Sequence, residues 1–411
     1  MPLARSTQTI LLLESEPALR ASATRIASPM KIRVLDRSPT SDPLGQILAA
    51  RPDCLVLDGD LPEAADFGLL AAIRRQPELA SMRLVLLSSD TARDSRSRAF
   101  ALGADEFLAK PYTLEELEGT LDTRDRFDLT FWGVRGTLPV PGPQTIKYGG
   151  NTSCVGLSIG RDRQFVFDAG TGLRSLSNHI MKTAAGRFDG RIFISHPHWD
   201  HFNSLPFFQP LYLPGNHVIL HGPAQGERSL RDLIDDQMDG IFFPVTAEEF
   251  KAEVEYRDLR EGVHRFDGIQ ITAKTLRHPG HCLAYRVDHH GHSIAYVTDN
   301  ELGALPPEDS FPRELIAFLD GVDVLIHDCT YFDDEYPNKV NWGHSSIGQA
   351  TRLAHEAGVR YFYLFHHDPD HGDADIERKL AIAEQWLAEC QSSTRCRIAS
   401  EGSSIRINQL E

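Results

Sequence analysis

Four potential metal ligands lie within six residues of this chain, in the segment HPHWDH that spans residues 196–201. The apolar segment RIFIS comes directly before it, and this order predicts a buried strand that gives way to a helix. Histidines two residues apart on an extended chain point to the same side, whereas Asp200 and His201 can turn towards a second ion as the helix begins. A capped turn that happens to contain histidines is the alternative, but so dense a set of ligands favours a metal site.

The pattern HxHxDH resembles the metallo-β-lactamase superfamily, whose domains are αββα sandwiches that hold metals at one edge between two sheets. The resemblance covers nearly all of residues 124–411. It implies that three further ligands stand where distant strands end. The chain offers a candidate for each: His278 after ITAKTLR, Asp299 at the end of SIAYVTD and His366 after YFYLF.

The same resemblance implies two divalent cations per chain. The ligands divide into a histidine group, a mixed group and a bridge: His196, His198 and His278; Asp200, His201 and His366; and Asp299. Asp200 and Asp299 would also orient the attacking hydroxide, which makes them catalytic as well as ligating. Mixed imidazole and carboxylate ligands suit Zn²⁺ best, with Mn²⁺ and iron as alternatives.

Other histidines are not expected to bind metal. His367 should point away from its neighbour His366 if the strand geometry persists. His281 lies close enough to the predicted metals to support a ligand or to be merely structural. Three histidines of the segment DHHGHS are expected in an exposed hairpin, because a glycine-containing turn separates two strands there: His289, His290 and His292.

Several further motifs resemble the phosphodiesterase branch of the superfamily. That branch includes the phosphoribosyl cyclic phosphodiesterase of phosphonate breakdown, RNase Z and cyclic-nucleotide phosphodiesterases. The motifs are FWGVRGTLPVPGP, KYGGNTSC, FDAGTG, QMDGIFFPV and NWGHSS. Asp168 of FDAGTG is expected to anchor the site from behind the metals rather than to bind them. The resemblance therefore implies a metal-dependent phosphoric diester hydrolase.

Among these motifs, NWGHSS bears most directly on the reaction, through His344. It stands before a predicted helix that Ser345 or Ser346 caps and that runs to Gly358. The resemblance places this histidine beside the scissile phosphate, and the ordinary pKa of an imidazole suits a general acid that protonates the departing alkoxide. A helix-capping or space-filling role is the alternative.

Residues 1–123 predict a separate domain. Short apolar strands alternate with helical segments there, which is typical of a parallel α/β sheet. The strand ends resemble the receiver domain of response regulators, which is flavodoxin-like and doubly wound. The resemblance implies a phosphoacceptor aspartate, a hydroxyl switch, an aromatic switch and a site lysine, in the order Asp58, Ser88, Phe107 and Lys110.

One departure bears on phosphorylation of this domain. Receivers usually carry two adjacent acids that help to bind Mg²⁺, whereas this chain reads Glu14-Ser15, with Glu16 next. Mg²⁺ requires near-ideal octahedral oxygen ligands, so Mg²⁺ at this site is doubtful. The domain is therefore either a working phosphorylation switch with a sensor kinase as partner, or a receiver that is no longer phosphorylated and serves for dimerisation or docking.

The composition limits the substrate class and the cellular compartment to be expected. A net charge of -16 counts against a nucleic-acid substrate that is held by phosphate contacts. The six cysteines are scattered and include no CxxC pair, which favours reduced thiols in the cytoplasm. The apolar run Ile10–Leu13 is too short for a signal peptide, and no segment approaches the roughly 18 apolar residues of a membrane helix.

The substrate is expected to be small. RNase Z enzymes bind tRNA through a long basic arm, whereas residues 226–249 are acidic and apolar by turns, which fits a lid or a dimer contact. A small cyclic phosphodiester, above all a cyclic nucleotide second messenger, is the expected substrate, in a homodimer with a regulatory receiver. An RNase Z-like nuclease and a non-enzymatic ligand-binding adaptor are the alternatives.

Overall fold

The structure is a computed structural model. It describes residues 9–14, 33–37, 42–61, 68–79, 82–90, 98–99, 102–104, 106–113, 116–117, 120, 127–159, 163–184, 186–241, 243–266, 269–289, 291–303 and 309–410. The chain divides into two compact units, one of residues 1–124 with 179–187 and the other of residues 125–178 with 188–411. The predicted domain boundary between residues 123 and 124 lies outside the described residues.

The N-terminal unit contains a parallel sheet whose strands are β1 Thr9–Leu13, β2 Arg33–Arg37, β3 Cys54–Asp58, β4 Arg83–Ser88 and β5 Glu106–Ala109. Their order is β2-β1-β3-β4-β5, the flavodoxin-like order of a doubly wound fold. Helices α1 Pro43–Ala50 and α2 Gly68–Arg74 belong to this unit. Successive residues of β1 are buried in two different apolar clusters, one on each face of the sheet. The predicted receiver fold is confirmed.

The C-terminal unit contains two sheets of seven strands. The first follows the order β11-β10-β9-β8-β7-β6-β19. Its strands are β6 Phe127–Gly133, β7 Cys154–Ile159, β8 Arg163–Phe167, β9 Asp189–Phe193, β10 His217–Gly222, β11 Glu253–Asp258 and β19 Ser404–Arg406. The second runs in sequence order from β12 to β18. Its strands are β12 Gly262–Phe266, β13 Ile269–Thr275, β14 Leu283–His289, β15 His292–Val297, β16 Val324–Asp328, β17 Tyr361–Phe365 and β18 Arg395–Ile398.

Apolar side chains from the facing sides of these sheets form one continuous core, with Phe131 and Phe193 from the first sheet and Tyr285 and Phe365 from the second. A second apolar cluster lies on the outer side of the second sheet, under three helices. Helix α3 Gly172–Thr183 begins in this unit, and the unit also contains α4 Trp199–Phe202, α5 Leu230–Gln237, α6 Phe311–Leu319, α7 Ile347–Glu356 and α8 Asp373–Glu389. The predicted αββα sandwich is confirmed. None of the helices within the described ranges has the length and apolar character needed to cross a bilayer.

Helix α7 begins at a capping box in which the Ser346 side chain accepts from the Gln349 N–H and the Gln349 side chain accepts from the Ser346 N–H. Its predicted inner face is buried: Ile347, Ala350, Leu353 and Ala354. The helix ends at Glu356, two residues before Gly358, whose φ of 63° suits a helix terminus. The cap fixes the backbone directly after His344.

The expectation of an exposed hairpin is wrong for His289. This side chain is only 9% exposed, and its ring packs edge-on against Phe127, with the centroids 5.8 Å apart. His292, its partner across the hairpin, is half-buried. His290 lies outside the described residues. The contact with Phe127 joins distant segments, so alternation along β14 and β15 does not predict it.

A buried histidine on β10 should make the stability of this unit sensitive to acid. Burial, reinforced by the neighbouring Arg191, lowers the pKa of His221 to about 3. An unfolded chain binds that proton near pH 6.5, so the folded state loses stability as the pH falls below about 6.5, by about 1.4 kcal/mol at pH 5.5. His221→Gln keeps an acceptor for Arg191 and removes the titration. Urea unfolding at both pH values should show a smaller acid effect in this variant, and an unchanged effect would contradict the assignment.

Candidate metal centre

The end of β9 leads into the HPHWDH segment. The strand stops at Phe193, and α4 begins six residues later with His198 at its N-cap position. His196 therefore lies on extended chain, whereas Asp200 and His201 lie in the first turn of the helix. The predicted change from strand to helix within the motif is present.

All seven predicted ligands lie together, in two groups that share Asp299. The potential ligand atoms of each group lie within 4.8 Å of one another. The groups are His196, His198, His278 and Asp299, and Asp200, His201, His366 and Asp299. One oxygen of Asp299 lies 3.5 Å from Nε2 of His196 and of His278, and the other lies 3.1 Å from Nε2 of His201 and 3.0 Å from Nε2 of His366. This carboxylate can therefore bridge two ions.

Asp200 and His366 approach from opposite sheets. Oδ2 of Asp200 lies 3.1 Å from Nε2 of His366 and accepts the Thr137 N–H at 2.6 Å. His366 follows β17 with a φ of 55°, a backbone conformation that non-glycine residues adopt mainly where the surroundings enforce it. A Cβ on Gly136 would lie 2.2 Å from the His366 ring. In the motif FWGVRGTLPVPGP, Gly136 thus leaves space for the His366 ring, and the Thr137 N–H orients Asp200.

His367 lies outside both ligand groups. It is fully buried, and within the part of the chain that the structure describes neither ring nitrogen has a hydrogen-bond partner. Burial, reinforced by Lys379 and Arg135, holds the pKa of His367 well below its ordinary value, so this imidazole is neutral. His281 also lies apart and bonds instead to Ala224 and Gln225. The structure thus separates both histidines from the seven candidate ligands.

The imidazoles are oriented as metal ligands require. Nδ1 of His278 donates to the Gly343 carbonyl at 3.0 Å, and Nδ1 of His201 donates to Asp168 at 2.7 Å, so that Nε2 of each faces the centre. Nε2 of His196 is buried without a hydrogen bond among the described residues. Facing nitrogens come close, as with Nε2 of His278 and Nδ1 of His198, 2.9 Å apart. Lone pairs converging in this way fit a bound cation.

Asp168 organises this centre from behind. Its carboxylate accepts hydrogen bonds from the Ser195 N–H at 2.6 Å, the Ser195 hydroxyl at 2.9 Å and the Tyr296 hydroxyl at 2.7 Å, in addition to His201. Ser195 Oγ in turn lies 3.0 Å from Nδ1 of His196. Asp168 belongs to neither ligand group but bonds to His201 and, through Ser195, to His196, which fits the anchoring role expected of it.

His344 lies beside the mixed ligand group and is paired with Asp328. Its Nδ1 donates to Asp328 Oδ2 at 2.9 Å, and its ring stacks on that of His366, with the centroids 5.0 Å apart. Burial opposes protonation, but the Asp328 carboxylate outweighs it and raises the pKa of His344 to about 9. Because Asp328 engages Nδ1, the Nε2–H of the protonated ring is left as the donor.

Asp328 is a site residue that the sequence analysis missed. Its carboxylate also accepts from the Thr330 N–H at 2.9 Å and the Thr330 hydroxyl at 2.6 Å. The signal was present, because Asp328 ends β16 just as Asp299 follows β15. Applying to β16 the expectation that site residues stand where strands end would have identified Asp328.

The predicted receiver residues form a second polar pocket. Asp58 ends β3, Ser88 ends β4, and Lys110 directly follows β5, which contains the half-buried Phe107. Nζ of Lys110 lies 2.6 Å from Asp58 and 3.4 Å from Glu14. It also lies 3.4 Å from Asp60, which accepts from the Ser88 hydroxyl at 3.3 Å. Ser15 and Glu16, on which the doubt about Mg²⁺ rests, lie outside the described residues.

Comparisons with known proteins agree with both units. Residues 163–367 match the profile of the β-lactamase superfamily domain, and residues 10–122 match that of the response regulator receiver domain. A ribonuclease Z of Bacteroides fragilis is 25% identical over 297 residues, which cover 63% of this chain and 94% of that protein. A ribonuclease Z of Halalkalibacterium halodurans is 25% identical over 254 residues, covering 50% of this chain and 78% of that protein.

A solved structure shows the same fold. The metallo-β-lactamase fold protein YhfI of Bacillus subtilis superposes with a TM-score of 0.50 at 18% identity, covering 68% of this chain and 99% of that one. The two sheets described above are consistent with both the profile and the superposition. The chain thus joins a response regulator receiver domain to a hydrolase domain of the metallo-β-lactamase superfamily.

Proposed function

We propose that the C-terminal domain hydrolyses a small cyclic phosphodiester, in the first place a cyclic nucleotide second messenger. The observation that carries this proposal is the His344–Asp328 pair beside two ligand groups that share one carboxylate. A phosphodiester needs positive charge to offset its anion and an acid to protonate the leaving oxygen. The site offers candidates for both tasks.

The proposed chemistry divides between the ions and the side chains. The two ligand groups would hold two divalent cations, preferably Zn²⁺ with Mn²⁺ or iron as alternatives, which would neutralise phosphate charge and lower the pKa of the attacking water. Asp200 and Asp299 carry negative charge, since the surrounding histidines outweigh burial and hold the pKa of each well below its ordinary value. Both can bind cations and accept a hydrogen bond from the attacking water. His344 donates its Nε2 proton to the departing alkoxide.

Charge and local structure support a small substrate. Residues 226–249 contain Arg228 and Arg231 as their only basic residues, in a chain of net charge -16. Helix α5 of this segment is anchored by buried Leu230 and Ile234, and the Gln237 side chain donates to the Phe202 carbonyl at the end of α4. An acidic segment fixed to the end of the ligand-bearing helix repels a long polyanion more strongly than a single phosphodiester.

A nuclease of the RNase Z type is the second candidate. It is favoured by the two relatives named ribonuclease Z, because their similarity extends over most of their own length. The two candidates differ in how binding depends on salt, since contacts to many phosphates make affinity fall steeply with ionic strength.

Activity assays separate the two candidates. Full-length protein loaded with Zn²⁺ or Mn²⁺ should hydrolyse bis-p-nitrophenyl phosphate and at least one cyclic mononucleotide, while leaving a precursor tRNA intact. Cleavage of the tRNA with a steep salt dependence, without hydrolysis of any cyclic nucleotide, would favour the nuclease. Binding of cyclic nucleotides without turnover under all metal conditions would favour an adaptor.

The receiver domain is proposed to act through association, as a homodimer, more than through phosphorylation by a sensor kinase. We expect Asp58→Asn, or treatment with acetyl phosphate, to change hydrolase activity less than about twofold, because Glu14 without a second adjacent acid should bind Mg²⁺ poorly. Deletion of residues 1–123 should change the oligomer size measured by light scattering. Stoichiometric phosphorylation of Asp58 with a several-fold change in activity would instead establish a working switch.

A further inference from the structure

The loop that precedes His344 has an unusual backbone. Asn341 and Gly343 have φ angles of 68° and 84°. The first is sparsely populated by residues that carry a Cβ, so it persists only where the surroundings hold it. Gly343 also lies against the metal centre, because a Cβ there would come within 2.3 Å of His278 Nδ1. Something outside the loop must therefore fix its conformation.

One carboxylate holds both of these residues. Oε1 of Glu301 accepts the Asn341 N–H at 2.7 Å and the Tyr336 hydroxyl at 2.6 Å, and Oε2 accepts the Gly343 N–H at 2.9 Å. Charge-assisted hydrogen bonds of this kind are about twice as strong as neutral ones. Glu301 thus fixes the two positions of the loop that are conformationally demanding.

Glu301 is itself fixed to the metal centre. It follows Asp299 by two residues, and its backbone N–H donates to the Arg277 carbonyl, next to His278, at 2.8 Å. The Gly343 carbonyl completes the connection by accepting from His278 Nδ1 at 3.0 Å. The next residue after Gly343 is His344. Glu301 therefore fixes the position of His344 relative to the segments that carry His278 and Asp299.

We propose that Glu301 is a positioning residue that fixes His344 with respect to the leaving oxygen. This inference rests on the proposed function of the site and goes beyond it by assigning a role to a residue that contacts neither substrate nor metal. A displaced acid still leaves the cations and their ligands in place. Loss of Glu301 should therefore impair leaving-group protonation and spare the steps before it.

Glu301→Gln tests the proposal at one contact. The amide oxygen of Gln can still accept from Asn341 and Tyr336, whereas its NH₂ group would face the Gly343 N–H, donor against donor. We expect kcat for a cyclic mononucleotide to fall roughly 10- to 100-fold, as for a misplaced catalytic group, with metal content unchanged. For bis-p-nitrophenyl phosphate, whose leaving group needs no proton, the fall should be less than about threefold.

The control is Asp373→Asn. Asp373 also accepts hydrogen bonds from two backbone N–H groups, those of Lys147 at 2.9 Å and Tyr148 at 3.3 Å, but the segment that contains these two residues does not lead to His344. This variant should leave the ratio of the rates on the two substrates unchanged. The double variant Glu301→Gln/His344→Ala should be no slower than His344→Ala alone, because both changes remove the same step.

The outcomes distinguish this proposal from the proposed function. Equal losses on both substrates, loss of metal, or additive effects in the double variant would mean that Glu301 is merely structural. If His344→Ala itself shows no difference between the substrates, the role of His344 fails and this proposal with it. Should Glu301→Gln not fold, Tyr336→Phe removes one donor to Oε1 and must show the same selective loss at smaller size. Equal fractional losses on both substrates in that variant, or no loss on either, would overturn the proposal.

Discussion

Asp200→Ala should lose metal and activity together. Oδ2 of Asp200 lies 3.1 Å from Nε2 of both His201 and His366, so its loss removes one of the two carboxylates of the mixed ligand group. Wild-type protein should contain close to two ions per chain, because the seven predicted ligands form two groups that share Asp299. We expect the variant to retain at most one ion and to lose activity by more than about 100-fold. Mutation of residues that only support metal ligands already lowers metal affinity or activity by roughly 10- to 100-fold.

Elemental analysis of metal-loaded, desalted protein gives the metal content, and hydrolysis of bis-p-nitrophenyl phosphate gives the activity. Asp235→Ala is the matched control, because Asp235 is a half-exposed aspartate of α5 that belongs to neither ligand group. It should behave as wild type. A wild-type protein that binds one ion or none after careful loading would contradict the two-ion mechanism.

His344→Ala should lower kcat by ~10² to 10⁴ while the metal content stays at the wild-type value, the range expected when a general acid is removed. The reason is that Nδ1 of His344 is engaged by Asp328, which leaves the Nε2 proton for the leaving group. The loss should be large for cyclic nucleotides and small for p-nitrophenyl esters. Asp328→Asn should show the same pattern with a smaller loss, because it removes the negative charge beside His344 but keeps an oxygen that can accept from Nδ1.

His281→Ala controls for the removal of an imidazole near the centre. His281 contacts Ala224 and Gln225 rather than the ligand groups, so the variant should keep its kcat for both substrates. Equal losses for cyclic nucleotides and p-nitrophenyl esters in His344→Ala would contradict the leaving-group role. Loss of metal in that variant would instead make His344 a ligand.

Residues near one another in sequence could be placed from the sequence. HPHWDH predicts its own geometry because strand and helix periodicity act within a few residues. His278, Asp299 and His366 were placed through the family resemblance, as ends of strands that one sheet must align. The choice of His366 over His367 matches the structure, although the left-handed backbone at His366 depends on contacts with Gly136 that no local pattern reveals.

Asp328 and Glu301, whose roles depend on pairing with distant residues, were missed. Asp328 and His344 are 16 residues apart, and Glu301 lies 42 residues from Gly343. Their contacts arise only after β16 and α7 take their places around the same sheet edge. The exposure of His289 was misjudged for the same reason, since its burial depends on Phe127 in the other sheet.

The division of the ligands between the two sheets has a consequence beyond catalysis. HPHWDH follows β9 of the first sheet, whereas Asp299 and His366 follow β15 and β17 of the second. A cation held by either group would cross-link the two halves of the sandwich, much as a disulfide joins two segments. Its binding free energy would add to the stability of the fold, about 2.7 kcal/mol when the free ion exceeds its dissociation constant 100-fold. Metal supply would therefore govern how much folded protein a cell keeps as well as how fast each molecule works.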